Sequence, residues 1–96
     1  INGNIFVAKG NQIVTPPLSE GCINGIYRKK LIELIKKQTT YELIEVPLVY
    51  TDLLNASEVF MTNSIIGIQP ITHFKKKIYQ SEIVLNLQKL MDKYLI

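Results

Sequence analysis

The spacing of apolar residues at the start of the chain predicts a β-hairpin. Asn4–Ala8 is a short apolar run, Gln12–Thr15 is a second extended segment, and the turn signal Lys9-Gly10-Asn11 lies between them. Pro16-Pro17 ends the second strand, because a proline cannot donate a hydrogen bond to a sheet. Further along, Tyr41–Val46 has the apolar and polar alternation of another strand.

Helical spacing follows the hairpin and returns at the end of the chain. A helix is predicted to begin at Asn24-Gly25, with the Asn24 side chain as its cap. Its apolar positions are spaced as one helix face requires, and they are Tyr27, Leu31, Leu34 and Ile35. A short helix is predicted at Thr51–Ala56, capped by Thr51 or Asp52. Ser81 is predicted to cap a last amphipathic helix, whose apolar stripe is Ile83, Val84, Leu87, Leu90, Met91 and Tyr94.

The other segments are predicted to be extended. Glu58–Thr62 has the compact pattern of a buried strand, and a loop containing Asn63, Ser64 and Gly67 follows it. We expect a further extended stretch over residues 70–79. The resulting order, β-β-α-β-α-β-β-α, predicts a mixed α/β fold.

The composition fits one small globular domain or a piece of a larger one. The 96 residues are 47% hydrophobic and 20% charged. Because Ile1 is not a start methionine and a turn at Asn2-Gly3 runs straight into the first strand, we expect that Ile1 is a cut end. No apolar stretch approaches the ~20 residues that span a bilayer. Cys22 is the only cysteine, which favours a reducing compartment, so we expect a cytoplasmic protein without membrane partners.

The net charge of +3 comes from lysines that are spread along the chain. The local clusters are Lys29-Lys30, Lys36-Lys37 and Lys75-Lys76-Lys77. Nucleic-acid binders usually concentrate such charge on one face together with arginine or aromatic contacts, whereas this chain has a single arginine and no tryptophan. We therefore interpret the lysines as solvated and expect no nucleic-acid partner. A non-catalytic basic domain that binds polyanions in a salt-dependent manner stays open as an alternative.

Two loops carry candidate chemistry. The segment Gly21–Arg28 is a glycine-bearing loop that opens a helix, where unpaired amides and the positive end of the helix dipole favour an anion such as phosphate. Gly25 allows a ligand to approach the backbone closely. The segment Thr62–Gly67 places hydroxyl and amide side chains directly after a buried strand, where α/β proteins often contact ligands. Ordinary turn geometry would explain either loop alone.

Taken together, the ordered segments resemble the class IV pyridoxal-phosphate (PLP) enzymes, which include branched-chain and D-amino-acid aminotransferases and aminodeoxychorismate lyase. The matching segments are Asn4-Ile5-Phe6, Thr15–Leu18, Gly21–Arg28, Asp52–Ser64 and Pro70-Ile71. The resemblance implies the larger carboxyl-terminal α/β domain of the D-amino-acid aminotransferase-like fold, truncated at its amino-terminal side. Residues 1–96 would then be the PLP-phosphate-binding piece of that domain, in an enzyme that is usually a homodimer.

The resemblance also implies roles for particular residues. The cofactor phosphate would be held by the backbone amides of Gly25, Ile26 and Tyr27, by the Ser64 hydroxyl and by the Ile65 amide, and Ile23 would pack on the pyridine ring. In this family the lysine that carries the cofactor, and the acid that pairs with the pyridine nitrogen, lie upstream of the first strand. Both would fall before Ile1, so the chain alone is predicted to be inactive, with no catalytic residue and no metal ligand of its own.

Two departures from the aminotransferase pattern bear on the reaction. Aminotransferases of the family typically show Pro-Gly-Ile-Thr-Arg at the helix start, where this chain has Asn24-Gly25-Ile26-Tyr27-Arg28. After the buried strand, aminotransferases typically show small residues and a glutamate, where this chain has Ile65-Ile66-Gly67 following Asn63 and Ser64. Both features favour an aminodeoxychorismate lyase, which converts 4-amino-4-deoxychorismate to 4-aminobenzoate and pyruvate in folate biosynthesis. A transaminase of branched-chain or D-amino acids is the alternative within the family.

Overall fold

The computed structural model describes residues 4–18 and 25–95. Its strands are β1 (Ile5–Lys9), β2 (Gln12–Thr15), β3 (Glu42–Glu45), β4 (Glu58–Asn63), β5 (Gly67–Ile71), β6 (His73–Phe74) and β7 (Lys77–Ile78). Its helices are α1 (Gly25–Gln38), α2 (Tyr50–Asn55) and α3 (Glu82–Tyr94). The predicted mixed α/β class is confirmed, and the elements from β1 to β4 lie within about a residue of their expected bounds.

One mixed sheet of the described residues has the strand order β3-β2-β1-β4-β5. Strand β1 runs antiparallel to both β2 and β4, and β5 runs antiparallel to β4. Strand β3 is instead parallel to β2, because α1 returns the chain to the same end of the sheet before β3 begins. The β1–β2 hairpin turns at Gly10, whose φ of +59° is a left-handed conformation that glycine adopts without strain.

Both faces of this sheet are covered by other parts of the chain. The side chains on one face pack with α1 and α3, and they are Phe6, Ala8, Ile13, Phe60 and Ile68. Val7 and Val59 lie in a second cluster on the opposite face, with α2 and Tyr79. Phe6 and Phe60 are register partners on adjacent strands, and their rings stack with centroids 5.2 Å apart. Burial on both faces explains the continuous apolar sequences of β1 and β4.

The predicted apolar faces of α1 and α3 are the buried ones. In α1, Leu31 and Leu34 are fully buried, and Tyr27 packs at the edge of the same cluster. In α3, Leu87 and Met91 are almost fully buried. Burying one such side chain contributes about 1.5–3 kcal/mol, so packing against the sheet, more than intrinsic helix propensity, holds these helices.

The predicted N-cap position of α3 is confirmed, but the capping hydrogen bonds come from Glu58. Ser81 lies at the N-cap position, but its side chain makes no capping hydrogen bond. The Glu58 carboxylate, 1% exposed at the start of β4, instead accepts the amide N–H groups of Ile83 (2.8 Å) and Val84 (3.1 Å). These are the amides that a capping side chain normally satisfies, and a negative charge there also favours the helix dipole. A residue from a distant strand therefore caps this helix.

The predicted caps of α2 are wrong. The helix begins at Tyr50, one residue before the expected start, and Val49 occupies the N-cap position. Asp52 lies inside the first turn, where its carboxylate accepts the Val49 amide N–H at 2.8 Å. This is the reciprocal half of a capping box, so Asp52 supports the helix start without being its cap. The predicted Asn24 cap of α1 lies outside the described residues.

The stretch predicted to be extended over residues 70–79 is divided. Strand β5 ends at Ile71, and β6 pairs with β7 in a separate antiparallel ribbon. Lys75 turns this ribbon with a φ of +54°, and its ammonium lies 5.6 Å from the centre of the Phe74 ring, which is cation–π distance. Among the described residues, no helix has the length and apolar character that crossing a membrane requires.

Candidate functional site

The two candidate loops leave the sheet at the same edge. Because β1 is antiparallel to both β2 and β4, the start of β1 lies beside the ends of β2 and β4. Hydrogen bonds tie these strand ends together: the Thr15 hydroxyl donates to the Ile5 carbonyl (2.8 Å), and the Thr62 amide donates to the Asn4 carbonyl (2.9 Å). The segments that follow β2 and β4 therefore start as neighbours, although 47 positions separate Thr15 from Thr62 in the sequence.

The first turn of α1 contains Gly25, Ile26 and Tyr27. Their amide N–H groups have no partner inside the helix, because the first four amides of any α-helix precede its hydrogen-bonding register. A Cβ atom on Gly25 would lie 3.2 Å from a methyl group of Leu18, so glycine lets the chain pack tightly at this start. Ile26 is 76% exposed and does not contribute to the core. Ile23, the predicted partner of the pyridine ring, lies outside the described residues.

Arg28 fixes the start of α1 to the sheet. Its side chain is 4% exposed, and one guanidinium nitrogen donates to the Pro16 carbonyl at 2.7 Å and contacts a Glu45 carboxylate oxygen at 3.4 Å. Pro16 follows β2 and Glu45 ends β3, so one side chain connects the helix to two strand ends. The apolar spacing of α1 does not indicate this burial, because Arg28 is not one of its apolar positions. Two sequence signals set Arg28 apart: it is the single arginine of the chain, and it matches the arginine at the helix start of the class IV pattern.

The turn between β4 and β5 carries Ser64 and Ile65. The Asn63 side-chain carbonyl accepts the amide N–H groups of Ile65 (2.8 Å) and Ile66 (3.1 Å), which is the local pairing that asparagine makes in turns. Ser64 is exposed, and the Ile65 side chain is 93% exposed. The Ile65 amide, expected to face a ligand, therefore already has an acceptor in this structure. Its side chain contributes nothing to the core.

A side chain brings the two loops into contact. A Cβ atom on Gly67, the first residue of β5, would lie 3.1 Å from the Tyr27 hydroxyl oxygen and 3.5 Å from its Cζ. Tyr27 therefore lies directly against the end of the β4–β5 turn. Burial, with a smaller contribution from the negative charge of Asp92, raises the pKa of the Tyr27 hydroxyl above its ordinary value. The hydroxyl is therefore harder to ionise than that of an exposed tyrosine, and it lies against Gly67 of the β4–β5 turn.

Donors of the kind that bind phosphate lie on both sides of the contact between Tyr27 and Gly67. A helix start offers amides in fixed directions and the positive end of a dipole, and the exposed Ser64 hydroxyl belongs to the adjoining turn. The Ile65 amide fits as a further donor only if it leaves or shares its bond with Asn63. Among the described residues, no three His, Cys, Asp or Glu side chains come together as metal ligands would.

Comparison with known proteins decides the family. The model of the amino-transferase class IV family matches residues 2–74, which is most of the chain. This chain belongs to the class IV aminotransferase family. The predicted membership is therefore confirmed, and the matched range includes both candidate loops.

Within this family, the chain is similar both to a protein named as an aminotransferase and to one named as a lyase. It is 33% identical over 92 residues to the Aquifex aeolicus protein named "Probable branched-chain-amino-acid aminotransferase", covering 95% of this chain and 30% of that protein. It is 36% identical over 88 residues to the aminodeoxychorismate lyase of Bacillus subtilis, covering 85% and 28%. An aminotransferase from Brucella abortus bound to the co-factor PLP superposes with a TM-score of 0.86 at 23% identity, covering 97% and 33%. The chain thus has the class IV fold and spans about a third of the length of these relatives.

The clustered lysines and the single histidine of the chain are mostly solvent-exposed. Its clustered lysines are exposed, apart from the half-buried Lys77. His73 is exposed, and its Nδ1 atom lies 3.1 Å from the Thr72 hydroxyl. His73 lies in the separate β6–β7 ribbon, whereas Lys29 lines the same surface pocket as Gly25, Ile26 and Arg28.

Proposed function

We propose that this chain forms the phosphate-holding part of a PLP-dependent enzyme. The amides of Gly25, Ile26 and Tyr27 and the hydroxyl of Ser64 donate hydrogen bonds to the cofactor phosphate, and the Ile65 amide joins them when it turns from Asn63. One observation carries the proposal: two loops matched by the class IV family leave the same edge of the sheet and touch through Tyr27 and Gly67. Ile23 is proposed to pack on the pyridine ring.

The residues of this chain act by binding and orientation. When bound, the cofactor supplies an electron sink that stabilises negative charge on the substrate carbon. Backbone donors at a helix start hold a phosphate without ordering long side chains, and Arg28 keeps that helix start fixed on the sheet. We propose no covalent bond to the cofactor and no proton transfer for any of the described lysines. We propose that the lysine that binds the cofactor covalently is supplied by polypeptide beyond these 96 residues, and that the chain alone is inactive.

For the reaction, we propose an aminodeoxychorismate lyase that forms 4-aminobenzoate and pyruvate from 4-amino-4-deoxychorismate, as a cytoplasmic homodimer. Asn24-Gly25 at the helix start and Asn63 followed by bulky apolar residues support this choice, as does the match to the Bacillus subtilis lyase. A transaminase of branched-chain or D-amino acids is the second candidate, and the longer match to the Aquifex aeolicus protein favours it. In an enzyme that contains this chain, pyruvate release without a keto-acid acceptor would support the lyase, and acceptor-dependent amino transfer would support the transaminase.

Phosphate binding is tested on the ¹⁵N-labelled chain with inorganic phosphate and with PLP as separate probes. We expect the amide resonances of Gly25, Ile26, Tyr27 and Ser64 to shift together. Ser64→Ala should weaken the affinity by about tenfold or more, because a hydrogen bond to a charged group contributes about 1.5–3 kcal/mol. The matched control is Ser81→Ala, which removes a hydroxyl that makes no capping bond.

Two outcomes would contradict the proposal. Shifts confined to lysine-rich segments and lost at moderate salt would favour the basic binding domain instead. Borohydride reduction of the chain with PLP, followed by mass spectrometry, should leave every lysine unmodified at stoichiometric cofactor. A stoichiometric pyridoxyl group on one lysine of residues 1–96 would overturn the assignment of the covalent lysine to another part of the enzyme.

A further inference from the structure

Tyr27 reaches from the first turn of α1 to the first residue of β5. Its ring packs at the edge of the main core cluster, and its hydroxyl end lies against Gly67. Gly67 has a φ of +90°, a conformation that side chains rarely adopt, and a methyl group there would approach the Tyr27 oxygen to 3.1 Å. Two independent features, backbone conformation and a close neighbour, therefore require glycine at this position.

The position of Gly67 controls the turn that carries Ser64. Gly67 pairs with Asn63 across the turn, so these two residues form the last rung of the β4–β5 ladder. Asn63 in turn holds the amides that follow Ser64. From the other side, Gln88 of α3 donates to the Ile68 carbonyl at 2.8 Å, which fixes β5 against that helix. The turn can therefore move toward α1 only as far as the Tyr27 ring allows.

We propose that Tyr27 is a positioning residue that sets the spacing between the two halves of the phosphate site, through the contact of its hydroxyl end with Gly67. This inference rests on the proposed function. The backbone amide of Tyr27 belongs to one half of the site, while its side chain bears on the other half. Where related aminotransferases carry a threonine hydroxyl, this chain uses a rigid ring as a spacer between the helix start and the turn.

The test is a double-mutant cycle of Tyr27→Phe and Gly67→Ala in the full chain, read out as affinity for inorganic phosphate. Gly67→Ala alone should weaken binding at least about threefold, because the new methyl group pushes on the Tyr27 oxygen. In the Tyr27→Phe background the nearest ring atom is Cζ at 3.5 Å, an ordinary contact. The same Gly67→Ala change should then weaken phosphate binding less, since the cost of the backbone conformation is common to both backgrounds and cancels.

Gly10→Ala is the matched control, because Gly10 also has a positive φ (+59°) but a Cβ atom there meets nothing within 4 Å. It should leave phosphate affinity unchanged, even if it lowers the free energy of unfolding. Additive effects of Tyr27→Phe and Gly67→Ala on phosphate affinity would overturn the positioning role. So would an effect on unfolding alone, since that would be a purely structural contact. If the unmodified chain binds no phosphate at Gly25–Tyr27 and Ser64, the proposed function itself fails, which is a different result.

Discussion

Replacing Glu58 should destabilise the protein far more than replacing Ser81, the residue that the sequence pattern selects as the cap of α3. The Glu58 carboxylate is 1% exposed and accepts two amide hydrogen bonds at the start of that helix. The Ser81 side chain makes no such bond. The perturbations are Glu58→Ala, Glu58→Gln and Ser81→Ala, each as a single change in the full chain.

The magnitudes follow from the bonds lost. Each hydrogen bond to a charged group contributes about 1.5–3 kcal/mol, and removing Glu58 also removes the cost of burying its charge. Glu58→Ala should therefore lower the free energy of unfolding by about 2–4 kcal/mol. Glu58→Gln keeps one acceptor but turns an amide donor toward helix amides, so we expect a loss of about 1–2 kcal/mol. Ser81→Ala should cost less than about 0.5 kcal/mol, because the half-buried Ser81 side chain makes no capping hydrogen bond that the change would remove.

Urea unfolding followed by far-UV circular dichroism measures these differences, provided that the m-values of the variants agree. In thermal unfolding, Glu58→Ala should lower Tm by at least about 8 °C, because 1 kcal/mol shifts a domain of this size by about 4–8 °C. A Ser81→Ala loss equal to or larger than that of Glu58→Gln would refute the reasoning. So would a Glu58→Ala loss below about 1 kcal/mol.

Three further outcomes are expected from the core and from the tyrosines. Arg28→Met should lower the free energy of unfolding in urea by about 1–3 kcal/mol, because the buried Pro16 carbonyl loses its donor. Glu45→Gln should cost less than about 1 kcal/mol, since the Glu45 side chain is 42% exposed. Equal losses for the two variants would contradict the central role of Arg28. Phe6→Ala should lower the free energy of unfolding by about 3–5 kcal/mol in the same assay, because the Phe6 ring is fully buried and stacks on Phe60. A loss below about 1 kcal/mol would contradict the place of Phe6 in the core. Burial raises the pKa of Tyr79, and burial with the charge of Asp92 raises the pKa of Tyr27. The contribution of these two hydroxyls to the free energy of unfolding is therefore fully present below the ordinary tyrosine pKa of about 10 and is lost as pH rises above it. Unfolding free energies measured from pH 8 to pH 11 should therefore decline only in the upper part of that range, and a rise there would contradict the assignment.

Most elements were predictable because each depends on neighbours close in sequence. The alternation around Lys9-Gly10-Asn11 predicted the first hairpin, and Gly10 indeed makes the turn. The spacing of Leu31, Leu34 and Ile35 predicted the buried face of α1. The division of residues 70–79 was missed, because Lys75 carries no glycine or asparagine signal and turns the ribbon with a φ that lysine rarely adopts.

The candidate site was predictable in part. Family resemblance indicated both loops, since several ordered motifs matched together, and membership of class IV is confirmed. The roles of Gly25, Ile26, Tyr27, Ser64 and Ile65 stay predictions. The bond from Ile65 to Asn63 was not foreseen, although asparagine before such a turn is a known signal for it.

By itself, the sequence determined most of the helices and strands, which faces are apolar and which family the motifs indicate. Tertiary structure alone decided that Glu58 caps a helix 26 residues away, that Arg28 is buried between two strand ends, and that Tyr27 meets Gly67. The physical reason is that periodicity is a local property, set by 2.0 or 3.6 residues per repeat. The partner of a polar or bulky side chain depends instead on which elements the sheet order brings together, and hydrophobic patterns do not encode that pairing.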